Sequence, residues 1–216
     1  MLQMLGVMSQ GAAVSLQVFF LTLLLSLPLA LLVAFGRMSK NIVVRGAVSF
    51  YVLVMRGTPL ILQLIFIYFA PKYFALALGL TLSYNRFTAV IIAYALNYAA
   101  YFAEIYRGGI ESISRGQYEA AKMLGFTSGQ TYGRIVLPQV VKRILPAMGN
   151  EVITLVKDTA LAQVIGVAEL FHAAQNAAAR EFSTMPIFIA GVFYFIMNWA
   201  VSFAFARFEK KLSYYS

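Results

Sequence analysis

The sequence predicts an all-α membrane protein of about five transmembrane helices, with a helix-turn-helix on the cytoplasmic face. Three observations carry this. Of the 216 residues, 61% are hydrophobic and only 12% charged, whereas a soluble domain averages roughly 25% charged residues. The mean hydropathy is +0.78. Uncharged runs recur at about the 20 residues needed to cross the hydrocarbon core, and Lys and Arg fall mostly between them. This composition excludes a soluble globular domain, and the length leaves too little polar sequence for a second one, so residues 1–216 read as a single transmembrane domain. The net charge of +9 sits in the connecting segments, so its counter-charge is the cytoplasmic lipid leaflet and not a nucleic acid. The absence of cysteine excludes disulfides, zinc–thiolate sites, iron–sulfur clusters and cysteine nucleophiles.

Met1 to Gly36 carries no charge. With no basic n-region and an apolar run too long for a signal peptide, it reads as a first span over 11–35, with Pro28 as a kink. Further spans are expected over 47–70, 87–106, 144–166 and 186–206. The second contains Arg56-Gly57-Thr58-Pro59, a helix break whose freed backbone carbonyls the Arg56 guanidinium can satisfy. An alternative ends an interfacial helix at that point and starts a later span running past Pro71. With the N-terminus outside, the cytoplasmic segments hold Arg37, Lys40 and Arg45, then Arg107, Arg115, Lys122, Arg134, Lys142 and Arg143, then Arg207, Lys210 and Lys211. The outer segments hold only Lys72, Arg86 and Arg180. The positive-inside rule therefore gives an external N-terminus, a cytoplasmic C-terminus and an odd number of spans.

The cytoplasmic loop at about 110–138 is too long and too patterned for a simple connector. Ser114-Arg115-Gly116-Gln117 and Thr127-Ser128-Gly129-Gln130 both have capping-box spacing. Gly125 follows Leu124 as a glycine past a helix end would, and Pro138 is expected to close the second helix. The stretch Glu119-Ala120-Ala121, three residues, Gly125, nine residues, then Ile135-Val136-Leu137-Pro138 resembles the EAA loop of membrane subunits of bacterial ATP-binding-cassette (ABC) importers. Arg56-Gly57-Thr58-Pro59-Leu60 and Val156-Lys157-Asp158-Thr159-Ala160-Leu161 resemble the polar amino-acid branch, which carries His, Glu, Gln, Arg or opines; Ala160 departs from that branch's usual Ser. The resemblance covers nearly the whole chain.

What the resemblance implies is a type I ABC importer permease in the bacterial inner membrane. Its Glu119, Ala120, Ala121, Gly125, Leu137 and Pro138 would couple it to a separate ATPase subunit, which binds the ATP and Mg; this chain would bind no cofactor. A second permease subunit, identical or paralogous, an extracytoplasmic solute-binding protein and an amino-acid substrate are the other implied partners. The chain contains no G-x-x-x-x-G-K-[ST] loop and no recognisable catalytic set, so energy is expected in trans.

Polar residues inside spans nominate a translocation site. Asn97, Tyr101 and Glu104 share one helical face, as do Asn150, Thr154 and Lys157; Glu151, Thr154 and Asp158 form an overlapping stripe. A zwitterion needs acidic groups for its amine, here Glu104 and Asp158, and a cation for its carboxylate, here Lys157 or Arg56. Asn97, Tyr101, Glu104, Thr154, Lys157 and Asp158 are thus the candidate substrate residues. A structural reading competes at each: Glu104 can simply pair with Arg107, and Lys157 and Asp158 with neighbouring helices. The single histidine, His172, makes a poor metal site alone and falls in an outer loop over 167–184. Two rivals remain, an ion-coupled secondary amino-acid transporter using Glu104 and Asp158, and a non-transporting scaffold.

Overall fold

The computed structural model describes residues 2–212, and every element among them is helical. In chain order these are α1 (Leu2–Arg37), α2 (Ile42–Gly57), α3 (Leu60–Ala77), α4 (Arg86–Glu111), α5 (Arg115–Met123) and α6 (Ser128–Thr131). A π turn (Tyr132–Val136), α7 (Leu137–Asp158), a 3₁₀ turn (Thr159–Ile165), α8 (Leu170–Glu181) and α9 (Met185–Leu212) follow. The segments Met4–Arg37, Leu60–Ala77, Arg86–Glu111 and Met185–Leu212 are long and apolar enough to cross a membrane. They correspond to the expected first, second, third and fifth spans, with Pro28 lying inside one continuous helix.

The expected second span over 47–70 is two helices. Asn41 starts α2 by accepting the backbone N–H groups of Val43 and Val44. At the other end Thr58 and Pro59 are extended, at ψ 146° and 135°, because a residue before proline is pushed out of the helical region and proline cannot donate to the turn behind it. The apolar span is therefore α3, which passes through Pro71 to Ala77. The expected fourth span over 144–166 is displaced as well. Helix α7 starts at Leu137 and stops at Asp158, beyond which the chain tightens into the 3₁₀ turn and reverses at Gly166, φ 78°. Its 22 residues span about 33 Å at 1.5 Å per residue. Lys142, Arg143, Glu151, Lys157 and Asp158 make it the least apolar of the long helices, a composition that needs partners inside the protein.

Pro138 does not close a helix; it sits in the first turn of α7. The chain runs from α6 through the π turn into α7, with Leu137 N–H bonded to the Tyr132 carbonyl. A proline in the first turn gives up an N–H that has no obligatory partner there. The residues expected as an outer loop around His172 form α8, whose N-cap is Glu169.

The core lies where α1 runs along α4 and α7 crosses α4. Tyr94, Tyr98, Phe102, Val18 and Leu155 are fully buried there, beside Ala30, Ala34, Ala89, Ala93, Ala99 and Ala103. These alanines let the helix backbones approach closely, the usual means of association where lipid is as apolar as the side chains. At Gly109 a built Cβ would lie 2.2 Å from Ile144 Cγ2, so α4 and α7 touch there without room for a methyl group. Glu169, buried, accepts the N–H groups of Phe171 and His172 and the Tyr194 hydroxyl, and Ser15 Oγ lies 3.4 Å away, which ties α8 to α1 and α9.

Candidate functional site

The helix break opens a cavity of about 400 Å³. Thr58, Pro59 and Leu60 form one wall, Asn97, Tyr98 and Tyr101 of α4 a second, and Glu151, Thr154, Asp158 and Leu161 of α7 and the 3₁₀ turn a third. The break is held open by amides. Gln63 donates to the carbonyls of Met55 and Thr58 at 2.9 and 3.0 Å and to Thr58 Oγ1 at 2.7 Å. Asn97, 4% exposed, donates to the Met55 carbonyl and to Gln63 Oε1, each at 3.0 Å. Carbonyls released by Pro59 are thus satisfied by Gln63 and Asn97 and not, as expected, by Arg56. Asp158 accepts from the Tyr98 hydroxyl at 2.7 Å, while Tyr94 donates to the Asp158 carbonyl at 2.7 Å. These bonds fix the end of α7 against α4. Glu151, half-buried, lines the cavity with no hydrogen-bonded partner among the described residues. The arrangement offers acceptors to an ammonium and hydroxyl and amide groups to a polar ligand.

Arg56 lies at the rim, its guanidinium 5.3 Å from the Tyr101 ring centroid, a cation–π distance. Glu104 is outside the cavity. Its carboxylate gathers Arg107 at 2.7 Å, Arg37 at 3.0 Å and Arg56 at 3.8 Å, and Arg37 also donates to Ser49 on α2. Arg107 further pairs with Glu111 at 2.6 Å. One carboxylate therefore clasps α1, α2 and α4. A separate groove of about 710 Å³ between α1, α4, α7 and α9 is lined by hydrocarbon and aromatic side chains and offers nothing to a polar ligand.

In the 110–138 loop, α5 ends in a Schellman motif. Phe126 N–H bonds to the Ala121 carbonyl and Gly125 N–H to the Lys122 carbonyl, with Gly125 at φ 75°, a conformation that favours glycine. Thr127 and Gln130 make the full capping box at the next helix start. Ser114 caps α5 by position only, its side chain making no cap bond. Glu119, Ala120, Lys122, Met123 and Leu124 are exposed, as are Leu137 and Pro138 at the other end of the motif. A compact turn thus displays a mixed apolar and charged surface, the kind of patch that marks a protein contact.

Residues 26–214 match the family described as binding-protein-dependent transport system inner membrane component. The chain belongs to this family. It is 37% identical to the glutamine transport system permease protein of Escherichia coli (strain K12), over 94% of this chain and 91% of that one. It is 35% identical to the arginine transport system permease protein of Bacillus subtilis (strain 168), with the same coverage. A crystal structure of an amino acid ABC transporter with histidines superposes with a TM-score of 0.86 at 33% identity, covering 98% of this chain and 96% of that one. An inward-facing methionine ABC transporter shares the fold at 20% identity, TM-score 0.69. The resemblance to ABC importer permeases read from the loop, and to their polar amino-acid branch read from Arg56–Leu60 and Val156–Leu161, is borne out. The chain is a multi-pass permease subunit of the inner membrane.

In this permease component the cavity brings together Asn97, Tyr101, Thr154 and Asp158 of the expected substrate residues, with Thr58 and Pro59 of the helix-break motif. It does not include Glu104, which is occupied by arginines, or Lys157, which is exposed and does not line it. Ala121 is 1% exposed and packs within the loop instead of lying on its outer face. Glu151 and Tyr98 belong to the cavity though neither stood among the candidates. The Glu151, Thr154, Asp158 stripe carried the signal for the first; Tyr98 had none.

Proposed function

We propose that this chain is the membrane-spanning subunit of an ATP-driven importer of polar amino acids, forming its path by alternating access. The observation that carries the substrate class is the cavity at the helix break, with Glu151 and Asp158 on one wall and Arg56 at its rim. The two carboxyl groups suit an ammonium group and the guanidinium a carboxylate, the two ends of a zwitterion. Relatives named for glutamine and arginine transport support the same class. The positive charge around Arg37, Arg107, Arg134 and Lys210 supports an external N-terminus and a cytoplasmic C-terminus. Two permease subunits enclose the path, a solute-binding protein delivers the substrate outside, and ABC ATPase subunits holding ATP and Mg dock on the exposed face of α5 around Glu119, Ala120 and Gly125. One transmembrane domain supplies all of these contacts. Closure of the ATPases moves α5, and the α6–α7 rod carries that motion to the cavity wall. Coupling requires that the two conformations differ in affinity for ligand and ATPase state.

Purification of the tagged protein from its native membrane tests this reading. Wild type brings down a phosphate-loop ATPase. A built Cβ at Gly125 meets nothing within 4 Å, so Gly125→Asp strains the backbone by about 1 kcal/mol without a clash. It inserts normally and loses or weakens the ATPase, with coupled uptake lost. Normal coupled uptake by Gly125→Asp refutes the docking role.

A further inference from the structure

We propose that Arg56 is a positioning residue that reports occupancy of the cavity to the cytoplasmic end of the helix bundle, by exchanging the Glu104 carboxylate for the carboxylate of the ligand. The inference rests on the amino-acid reading above and goes beyond it, since it assigns a relay between the cavity and the clasp. No lining residue of the cavity is Lys or Arg, so a zwitterion held by Glu151 and Asp158 brings a carboxylate into a space with no cation of its own. The Arg56 guanidinium stands at the wall, resting on Tyr101, itself a lining residue. Arg56 is also the most weakly held of the three cations on Glu104. Its contact is 3.8 Å, against 2.7 and 3.0 Å for Arg107 and Arg37, and its side chain is 45% exposed. A two-pronged pair with a ligand carboxylate is stronger than this long single contact, and Glu104 remains neutralised by Arg37 and Arg107 when Arg56 leaves. The exchange therefore costs the clasp little.

The consequence follows from where Arg56 sits. It is in the last turn of α2, directly before the break, and its link to Glu104 is the direct ion pair between that end of α2 and α4. With the pair exchanged, the end of α2 loses its ionic tie to α4 and can pivot about the hydrogen bonds that remain between the two helices, Asn97 to the Met55 carbonyl and Tyr51 to the Leu96 carbonyl, while α1 stays attached to Glu104 through Arg37. Ligand in the cavity and the position of α2 are thereby coupled, and coupling of this kind is reciprocal.

The chain has no native cysteine, so Val54→Cys and Gly108→Cys, at exposed positions of α2 and α4, place spin labels on the two helices alone. The complex, with its co-purified ATPase, its solute-binding protein and ATP, is reconstituted in phosphatidylethanolamine–phosphatidylglycerol vesicles. The probes are L-arginine, L-glutamine and L-histidine, each beside its decarboxylated amine. The amino acid that the wild type takes up shifts the inter-label distance, and its amine does not. Arg56→Gln assembles, loses the shift and lowers uptake about 10- to 100-fold, the range for a lost charged hydrogen bond; Arg56→Lys recovers part of both. A shift of equal size with the amine overturns the relay without use of any variant at Arg56. An unchanged shift in Arg56→Gln also overturns it. Failure of wild type to take up any of the three amino acids overturns the amino-acid reading itself, and the relay with it.

Discussion

Tyr98, Asp158 and Gln63 show how single side chains set this site. The Asp158 carboxylate receives the Tyr98 hydroxyl at 2.7 Å, and Asn in its place still accepts that bond through its amide oxygen while losing the charge offered to a ligand. Asp158→Asn is expected to leave the yield of folded protein unchanged and to reduce amino-acid uptake roughly 10- to 100-fold, measured as initial rates in vesicles. Gln63 serves the backbone. Its amide meets two carbonyls and a hydroxyl at the break, and Gln63→Leu leaves buried acceptors unpaired. Such a loss costs about 1–3 kcal/mol, visible as a lower melting temperature in detergent, with Asn97→Leu acting in the same direction through the Met55 carbonyl. Arg56 was legible in the sequence as a cation beside a proline and as a candidate partner for a ligand carboxylate, but its relay between cavity and clasp was not. Its contacts with Tyr101 and Glu104 arise from residues more than 40 positions away.

Helix α4 is the element that organises the molecule, since α1, α2, α3 and α7 all pack on it. Its small residues are what make this possible. Gly109→Leu inserts a side chain where even a methyl would meet Ile144 Cγ2 at 2.2 Å. Overpacking of this kind costs about 1–3 kcal/mol, and the separation of α4 from α7 also moves Tyr98 from Asp158. Reduced thermal stability together with reduced uptake is the expected result, read by melting and transport assays on the same preparation. The first, third and fifth spans were readable from the sequence because apolar length and flanking charge are local properties, whereas the limits of the second and fourth were not. The splitting of the second span turns on Pro59, whose effect the sequence announces, whereas the extension of α7 upstream through Pro138 does not follow from any local rule. A proline can end a helix or begin one, and the π turn before it settles the matter by supplying Leu137 N–H with the Tyr132 carbonyl.

For the whole molecule, the distribution of Lys and Arg gives orientation. With no native cysteine, Glu181→Cys at the end of α8 is expected to react with a membrane-impermeant maleimide in intact cells, and Gly129→Cys in α6 only after permeabilisation. The reverse pattern inverts the topology and moves the ATPase-docking turn outside. The membrane class, the helix-break motif and the turn at Gly125 were determined by the sequence alone, because each depends on neighbours within a few residues: hydropathy over one span, the missing N–H of proline, the left-handed backbone that glycine accepts. Which intramembrane charges face the cavity was decided only by the tertiary structure. Glu104 and Asp158 are equivalent as acidic residues in spans, yet one is enclosed by three arginines and the other is turned toward Tyr98 and open space. That difference depends on the rotation of α4 and α7 about their axes, which is set by packing between distant segments and leaves no mark in the local pattern.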